Sequence, residues 1–159
     1  MPDNQPLEAD VLVDPEVSVD EERLLVDALA ELGVRARTRV VPARRGLGDL
    51  SWAVLVSLPL QAFLTSLGGA LAEHAQQGLR DLVGRLVRRD RPVPAADDAQ
   101  RPMVLRDVAT GLQVVLEPDL PPEGYRQLLG LDLSQFAVGP VHYDRFQGRW
   151  RSELGEALR

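Results

Sequence analysis

The feature that most constrains this fold is an uncharged run: residues 51–72 carry no charged side chain over 22 positions. Pro59 divides the run, and the part before it is rich in aromatic and β-branched residues, which favour β-strands. Proline ends a strand readily and is tolerated in the first turn of a helix. We therefore predict an interior strand at residues 52–58, apolar on both faces. A helix with at most one break follows over residues 60–89, and Gly68-Gly69 is its weakest point.

The same run has a second interpretation as a membrane segment. Its length is sufficient for a transmembrane helix, and the function that follows is a membrane-associated component built around residues 52–72. Pro59 near the middle of the run, and the polar residues Gln61, Thr65 and Ser66 after it, favour the strand and helix instead.

The rest of the sequence predicts further short elements. Ser18 followed by Glu21 is a capping box that begins a helix, and Gly33 ends that helix. Alternating or turn-bounded segments predict the other elements. These are a strand at residues 9–13, a strand at 34–41, a hairpin at 103–116, a short helix at 121–129 and a last strand or hairpin at 139–150.

This order of elements predicts an α+β fold. It resembles a split β-α-β, ferredoxin-like sandwich in which one long helix packs on a mixed or antiparallel sheet. We expect one domain over residues 1–159, with a core unit at 8–116 and a C-terminal extension at 117–159. Apolar positions that repeat with the period of each element form the predicted core: Leu25, Leu29, Val40, Val54, Val56, Phe63, Leu67, Leu71 and Val115.

Two residue types that support much enzyme chemistry are missing. The absence of cysteine excludes disulfides, thiolate nucleophiles and cysteine-ligated metal sites. The absence of lysine excludes a Schiff base and a P-loop. Isoleucine is also absent, and Asn4 is the only asparagine. Because the codons of lysine, isoleucine and asparagine are rich in A and U, a GC-rich bacterial genome is indicated. The lack of cysteine, and of an apolar leader in residues 1–10, favours the cytoplasm.

The net charge of −6 is unevenly distributed. Residues 1–34 hold ten acids and one arginine, residues 35–91 hold ten arginines and four acids, and the remainder holds seven arginines and ten acids. A pI near 4.9 argues against a general nucleic-acid binder, because such proteins gain affinity by neutralising phosphates. The basic middle and the acidic start can instead face each other or meet a protein partner.

The candidates for catalysis are few. His142 and Asp144 are two positions apart and can orient a general base, so a small enzyme or ligand-binding domain that uses them is a further hypothesis. The only other histidine is His74, and two histidines cannot build a three-histidine metal site. We therefore expect no catalytic residues, no metal and no cofactor.

The strongest surface signal is a row of arginines. Arg35, Arg37 and Arg39 project from one face of the strand at residues 34–41, and Arg44 and Arg45 follow. Guanidinium groups pair bidentately with carboxylates or phosphates. We predict a partner-binding site from these five arginines; the alternative is that the acids of the first helix pair with them.

Residues 9–116 resemble the small effector-associated adaptor domains of bacterial conflict and signalling systems. Four features carry the resemblance: the helix start Asp20-Glu21-Glu22, the loop Gly46-Leu47-Gly48-Asp49, the uncharged run into Leu67-Gly68-Gly69-Ala70-Leu71-Ala72, and the hairpin turn at Thr110-Gly111. The resemblance implies a non-catalytic domain that couples a sensor or effector to its partner through like-domain contacts. We therefore expect a non-enzymatic protein–protein interaction or adaptor domain with a protein partner, no nucleic acid and no membrane; self-association stays open.

Overall fold

A computed structural model describes residues 6–13, 15, 18–40, 54–67, 72–87, 103–117 and 120–157. These residues form a mixed five-stranded sheet, a two-stranded sheet and several helices, which confirms the α+β class. The strands are β1 Leu7–Val13, β2 Val34–Val40, β3 Val54–Leu58, β4 Met103–Asp107, β5 Gln113–Leu116, β6 His142–Asp144 and β7 Arg149–Arg151. The helices are α1 Val19–Glu31, α2 Leu60–Leu67, α3 Ala72–Val87, α4 Pro122–Leu129 and α5 Glu153–Ala157, with a 3₁₀ turn at Leu133–Gln135.

The large sheet joins two β-α-β units. Strand order is β2-β1-β3-β4-β5; β1 pairs parallel with β2, β3 pairs parallel with β4, and β1 meets β3 antiparallel. In a split β-α-β unit another strand separates the two strands that the helix connects, whereas here they are direct neighbours. The ferredoxin-like arrangement is therefore not confirmed, and neither is a single long helix, because α2 and α3 are assigned as two helices.

Local signals in the sequence place most element boundaries correctly. The Ser18 hydroxyl accepts a hydrogen bond from the Glu21 amide at 3.1 Å, as the capping box predicts. Gly33, Gly111 and Gly148 adopt positive φ where α1 and the two hairpin turns end. The interior strand predicted at residues 52–58 is also found, since β3 lies between β1 and β4 and is buried on both faces.

The core lies between the large sheet and α1–α4. Of the predicted core residues, Leu25, Leu29, Val54, Val56, Phe63, Leu67 and Val115 are buried, and the side chain of Leu71 lies outside the described residues. The prediction for Val40 is wrong, because its side chain is 57% exposed. Val40 is the last residue of a terminal strand and, within the described sheet, has a neighbour on one side only, Val13.

The C-terminal segment adds to the same core. Val141 bridges to Val114 at the outer edge of β5, and Tyr143 and Trp150 pack edge to face with ring centroids 5.7 Å apart. The indole N–H of Trp150 donates to the Gly124 carbonyl of α4 at 2.9 Å. Tyr125 on α4 is buried as well, and burial raises the pKa of its phenol to about 12.

Two helical glycines give a matched test of this packing. A Cβ on Gly124 would lie 2.7 Å from Leu120 Cδ1, whereas a Cβ on Gly78 of α3 would meet only Leu32 Cδ2 at an ordinary 3.5 Å. Alanine gains about 1 kcal/mol over glycine in a helix interior. We therefore expect Gly78→Ala to raise the melting temperature and Gly124→Ala to lower it, both measured by circular dichroism. A rise in both variants would contradict the close approach of Leu120.

None of the described helices is both long and apolar enough to cross a membrane. The described part of the uncharged run comprises β3, Pro59, α2 and the first residue of α3.

Candidate functional site

β2 is a terminal strand of the large sheet and carries the arginine row. Val34 is buried, and Ala36 and Thr38 are half-buried on the face that α1 covers. Arg35, Arg37 and Arg39 are exposed on the opposite face. The alternation therefore places these three side chains together, as predicted, whereas Arg44 and Arg45 lie outside the described residues.

The acids beside the arginines come from β1 rather than from α1. The first turn of α1 contacts the other face of the sheet, where the Thr38 hydroxyl donates to the Glu22 carboxylate. On the arginine face, β1 places Glu8 beside Arg35 and Asp10 beside Arg37, and all four side chains are exposed. The predicted pairing with the first helix is not found among the described ion pairs.

Arg39 has a different neighbour. Leu12 lies beside it on β1, and Leu55, Val104 and Val115 continue the same row across β3, β4 and β5. The last three form a small buried cluster, against which Leu12 packs. Arg39 therefore lies at the edge of the sheet beside apolar side chains, and among the described strands it is the arginine of the row with no acid beside it.

We define the strip formed by Arg35, Arg37 and Arg39, with Glu8 and Asp10 beside it, as the arginine edge. Among the described residues, none of these five side chains takes part in an ion pair or a side-chain hydrogen bond. Successive residues on one face of a strand are about 7 Å apart. The arginine edge is therefore an exposed row of three separated cations with two acids set one strand inward.

The second candidate, His142 and Asp144, does not form an acid–base pair in the structure. Arg151 contacts the Asp144 carboxylate at 2.7 Å, and this hydrogen bond, with backbone donors at Gln147 and Phe146, holds the pKa of Asp144 below its usual value. His142 Nε2 lies 3.7 Å from Glu153. Arg151 therefore pairs with Asp144, the carboxylate that we expected to orient His142.

Among the described residues, neither the second histidine nor the serine hydroxyls add a catalytic pair. His74 is exposed on α3. The hydroxyls of Ser66 and Ser134 bond within their own turns, and the Ser152 hydroxyl donates to the Val138 carbonyl. Within the described residues, no three histidine, aspartate or glutamate side chains converge in a way that could hold a metal ion.

Sequence reasoning missed two polar residues that connect distant segments. Asp107 accepts hydrogen bonds from the Leu60 amide at 3.2 Å and from the Thr110 hydroxyl at 2.8 Å. Burial raises the pKa of Asp107, but these hydrogen bonds outweigh burial, and the net pKa is lowered. Gln61 bonds the backbone of Leu131 and Leu133. The turn motif of Asp107 and Thr110 is visible in the sequence, but the hydrogen bond between Asp107 and the first residue of α2 is not.

Sequence reasoning also missed Phe146, whose side chain is completely exposed at the tip of the β6–β7 hairpin. The turn itself was predicted, at Phe146-Gln147-Gly148. Its place between polar residues in a tight turn is the signal that could have identified it as an exposed aromatic residue.

Comparison of the chain with protein-family models, with curated proteins and with solved structures finds no match.

Proposed function

We propose that this chain is a non-enzymatic protein–protein interaction domain that binds an acidic partner segment through the arginine edge. The observation that carries the proposal is the exposure of Arg35, Arg37 and Arg39 on a terminal strand, on the face away from the acidic helix α1. Exposed charge also protects a sheet edge from aggregation, so the binding role needs a direct test.

The geometry of the row favours an extended segment with acids at alternate positions. Carboxylates on one face of an extended chain repeat about every 7 Å, which matches the spacing of the three guanidinium groups. Arginine pairs with carboxylate through two parallel hydrogen bonds. Glu8 and Asp10 lie beside two members of the row, whereas Leu12 lies beside Arg39, so Arg39 is the arginine most available to an acidic partner.

The adaptor role that the resemblance implies fits this surface, because an adaptor needs an exposed recognition element rather than a catalytic pocket. We accordingly propose that the domain couples a partner protein to an effector or sensor in a bacterial conflict or signalling system and acts in the cytoplasm. The described residues do not support the membrane-associated alternative, because they contain no helix of the required length and apolarity.

The test uses a labelled peptide with glutamates at alternate positions, titrated with the full chain by fluorescence anisotropy. Changing Arg35, Arg37 and Arg39 together to glutamine should weaken binding by up to roughly a hundredfold, because three exposed charge pairs of about 0–1 kcal/mol each contribute at most about 3 kcal/mol. Glutamine avoids placing new acids beside Glu8 and Asp10. Binding to the unchanged protein should also weaken as salt rises.

A matched control changes three exposed arginines elsewhere, Arg23, Arg80 and Arg126, to glutamine. This control alters the net charge equally and should leave peptide binding within about twofold. Melting temperatures of both triple variants should stay close to that of the unchanged protein, because surface substitutions usually alter stability by less than about 0.5 kcal/mol. Equal binding by both triple variants would disprove a specific role for the arginine edge.

A further inference from the structure

The outer edge of β2 carries backbone groups that no described residue uses. The ladder between β1 and β2 is parallel, and it begins where the Leu7 amide donates to the Gly33 carbonyl at 3.1 Å. In such a ladder, alternate residues of a strand bond to the same neighbour. The backbone groups of the three arginines therefore point towards β1. Those of the residues that alternate with them point outwards: Val34, Ala36, Thr38 and Val40.

The opposite edge of the large sheet is already covered. On β5, the Val115 amide donates to the Val141 carbonyl at 2.9 Å, and the Val141 amide donates to the Gln113 carbonyl at 2.8 Å. Within the part of the sheet that the structure describes, β2 is therefore the edge that leaves backbone donors and acceptors unpaired. Such an edge is a template on which a segment of another chain can add as a strand.

An apolar groove lies on the α1 side of this edge. Its volume is about 290 Å³, and it is lined by Val26 and Ala30 of α1 and by Val34 and Ala36 of β2. Ala30 is exposed, and Val26 and Ala36 are half-buried. Side chains along a strand point alternately to its two faces. A strand added beside β2 therefore directs every second side chain towards this groove and the others towards the arginine face.

We propose that the acidic partner segment adds to β2 as a further strand, with its acids on the arginine face and apolar residues in the groove. This inference deepens the proposed function and rests on it. β1 shows that β2 pairs with a strand of this kind: Glu8 and Asp10 lie on the arginine face, and Ala9 and Val11 are buried on the α1 face. A strand that alternates acids and apolar residues is thus already one neighbour of β2, and the partner supplies the other.

A second copy of this chain fits the edge less well than an acidic segment. If two copies paired antiparallel through β2 with their α1 helices on the same side, arginine would lie beside arginine. Like charges directly opposite each other destabilise a sheet. The arginine row therefore opposes self-pairing and selects a partner strand with acids on the matching face.

The test uses a short labelled peptide that alternates glutamate and valine, titrated with the full chain by fluorescence anisotropy. Two versions carry N-methyl groups on backbone amides, one at the glutamates and the other at the valines. An added strand bonds through one set of amides only. One version should therefore bind at least about tenfold more weakly, and the other within about twofold of the unmodified peptide. Loss at the glutamates indicates a parallel strand, and loss at the valines an antiparallel one.

Two measurements on the full chain locate the added strand. In amide hydrogen exchange followed by NMR, the peptide should slow exchange at Ala36 and Thr38, whose amides point outwards, and leave Arg37, which bonds to β1, unchanged. Ala30→Gln places a polar side chain in the groove and should weaken binding about threefold or more. Val19→Gln, at an exposed position of the same helix outside the groove, is the matched control and should bind normally.

These results separate the inference from the proposed function. If binding depends on the three arginines but both methylated peptides bind equally well, the proposed function stands and strand addition is wrong. If one methylated peptide loses binding but the arginine variant binds normally, strand addition stands and the proposed function is wrong. Unchanged exchange at Ala36 and Thr38 in the bound state would overturn strand addition, and failure of the peptide to bind the unchanged protein would contradict both.

Discussion

Replacing Phe63 with alanine is expected to lower the free energy of unfolding by about 3–5 kcal/mol. Phe63 lies on α2, is fully buried, and belongs to the cluster that joins the helices to the large sheet. The substitution removes the apolar contacts of the ring and leaves a cavity that neighbouring side chains fill only in part. Since domains of this size are stabilised by about 5–15 kcal/mol in total, the loss is a large fraction of the whole.

The measurement is urea denaturation followed by circular dichroism, with Thr65→Ala as control. Thr65 is on the same helix but exposed, so its replacement should change stability by less than about 0.5 kcal/mol. A Phe63→Ala variant as stable as this control would mean that α2 does not pack on the sheet through Phe63.

Local sequence patterns predicted the elements well because their causes are local. The Ser18 cap needs only the neighbouring Glu21 amide, and the hairpin turns need a residue at positive φ, which Gly111 and Gly148 supply. The uncharged run predicted an interior strand because a strand buried on both faces requires apolar residues throughout. β3 fulfils that requirement, with Ser57 as its one half-buried polar residue.

Strand order was not predictable in the same way. Whether β1 pairs with β2 directly or across another strand depends on contacts between distant segments, and the alternation of either strand fits both arrangements. The same reason explains Val40, whose position in the pattern is that of a core residue but whose strand lies at the edge. Position in the sheet decides its burial.

In the candidate site, the sequence predicted which face the arginines occupy but did not predict which residues lie beside them. Alternation alone put Arg35, Arg37 and Arg39 on one face, and the structure agrees. Their acidic neighbours could not be found from charge runs, because Glu8 and Asp10 belong to the adjacent strand rather than to the acidic helix. Likewise, the spacing of His142 and Asp144 carried no information about Arg151, which occupies the carboxylate.

Replacing Trp150 with alanine is expected to cost about 3–5 kcal/mol and to test whether the C-terminal extension unfolds together with the core. Trp150 is buried, packs on Tyr143 and donates to the Gly124 carbonyl of α4. Tyr143 and Trp150 share one apolar cluster with strands β1, β3 and β4. Because that cluster is continuous, loss of the indole should destabilise the whole chain and not the extension alone.

Thermal unfolding followed by far-ultraviolet circular dichroism distinguishes the two cases. One cooperative unit gives a single transition in both proteins, shifted down by about 2–4 °C per kcal/mol in the variant. Trp150→Phe keeps an aromatic ring but lacks the indole donor, so it should lose about 1–2 kcal/mol, between the other two proteins. If Trp150→Ala instead gives an early partial transition and an unchanged main one, residues 117–159 are a separate unit, and the prediction of one domain over the chain is wrong.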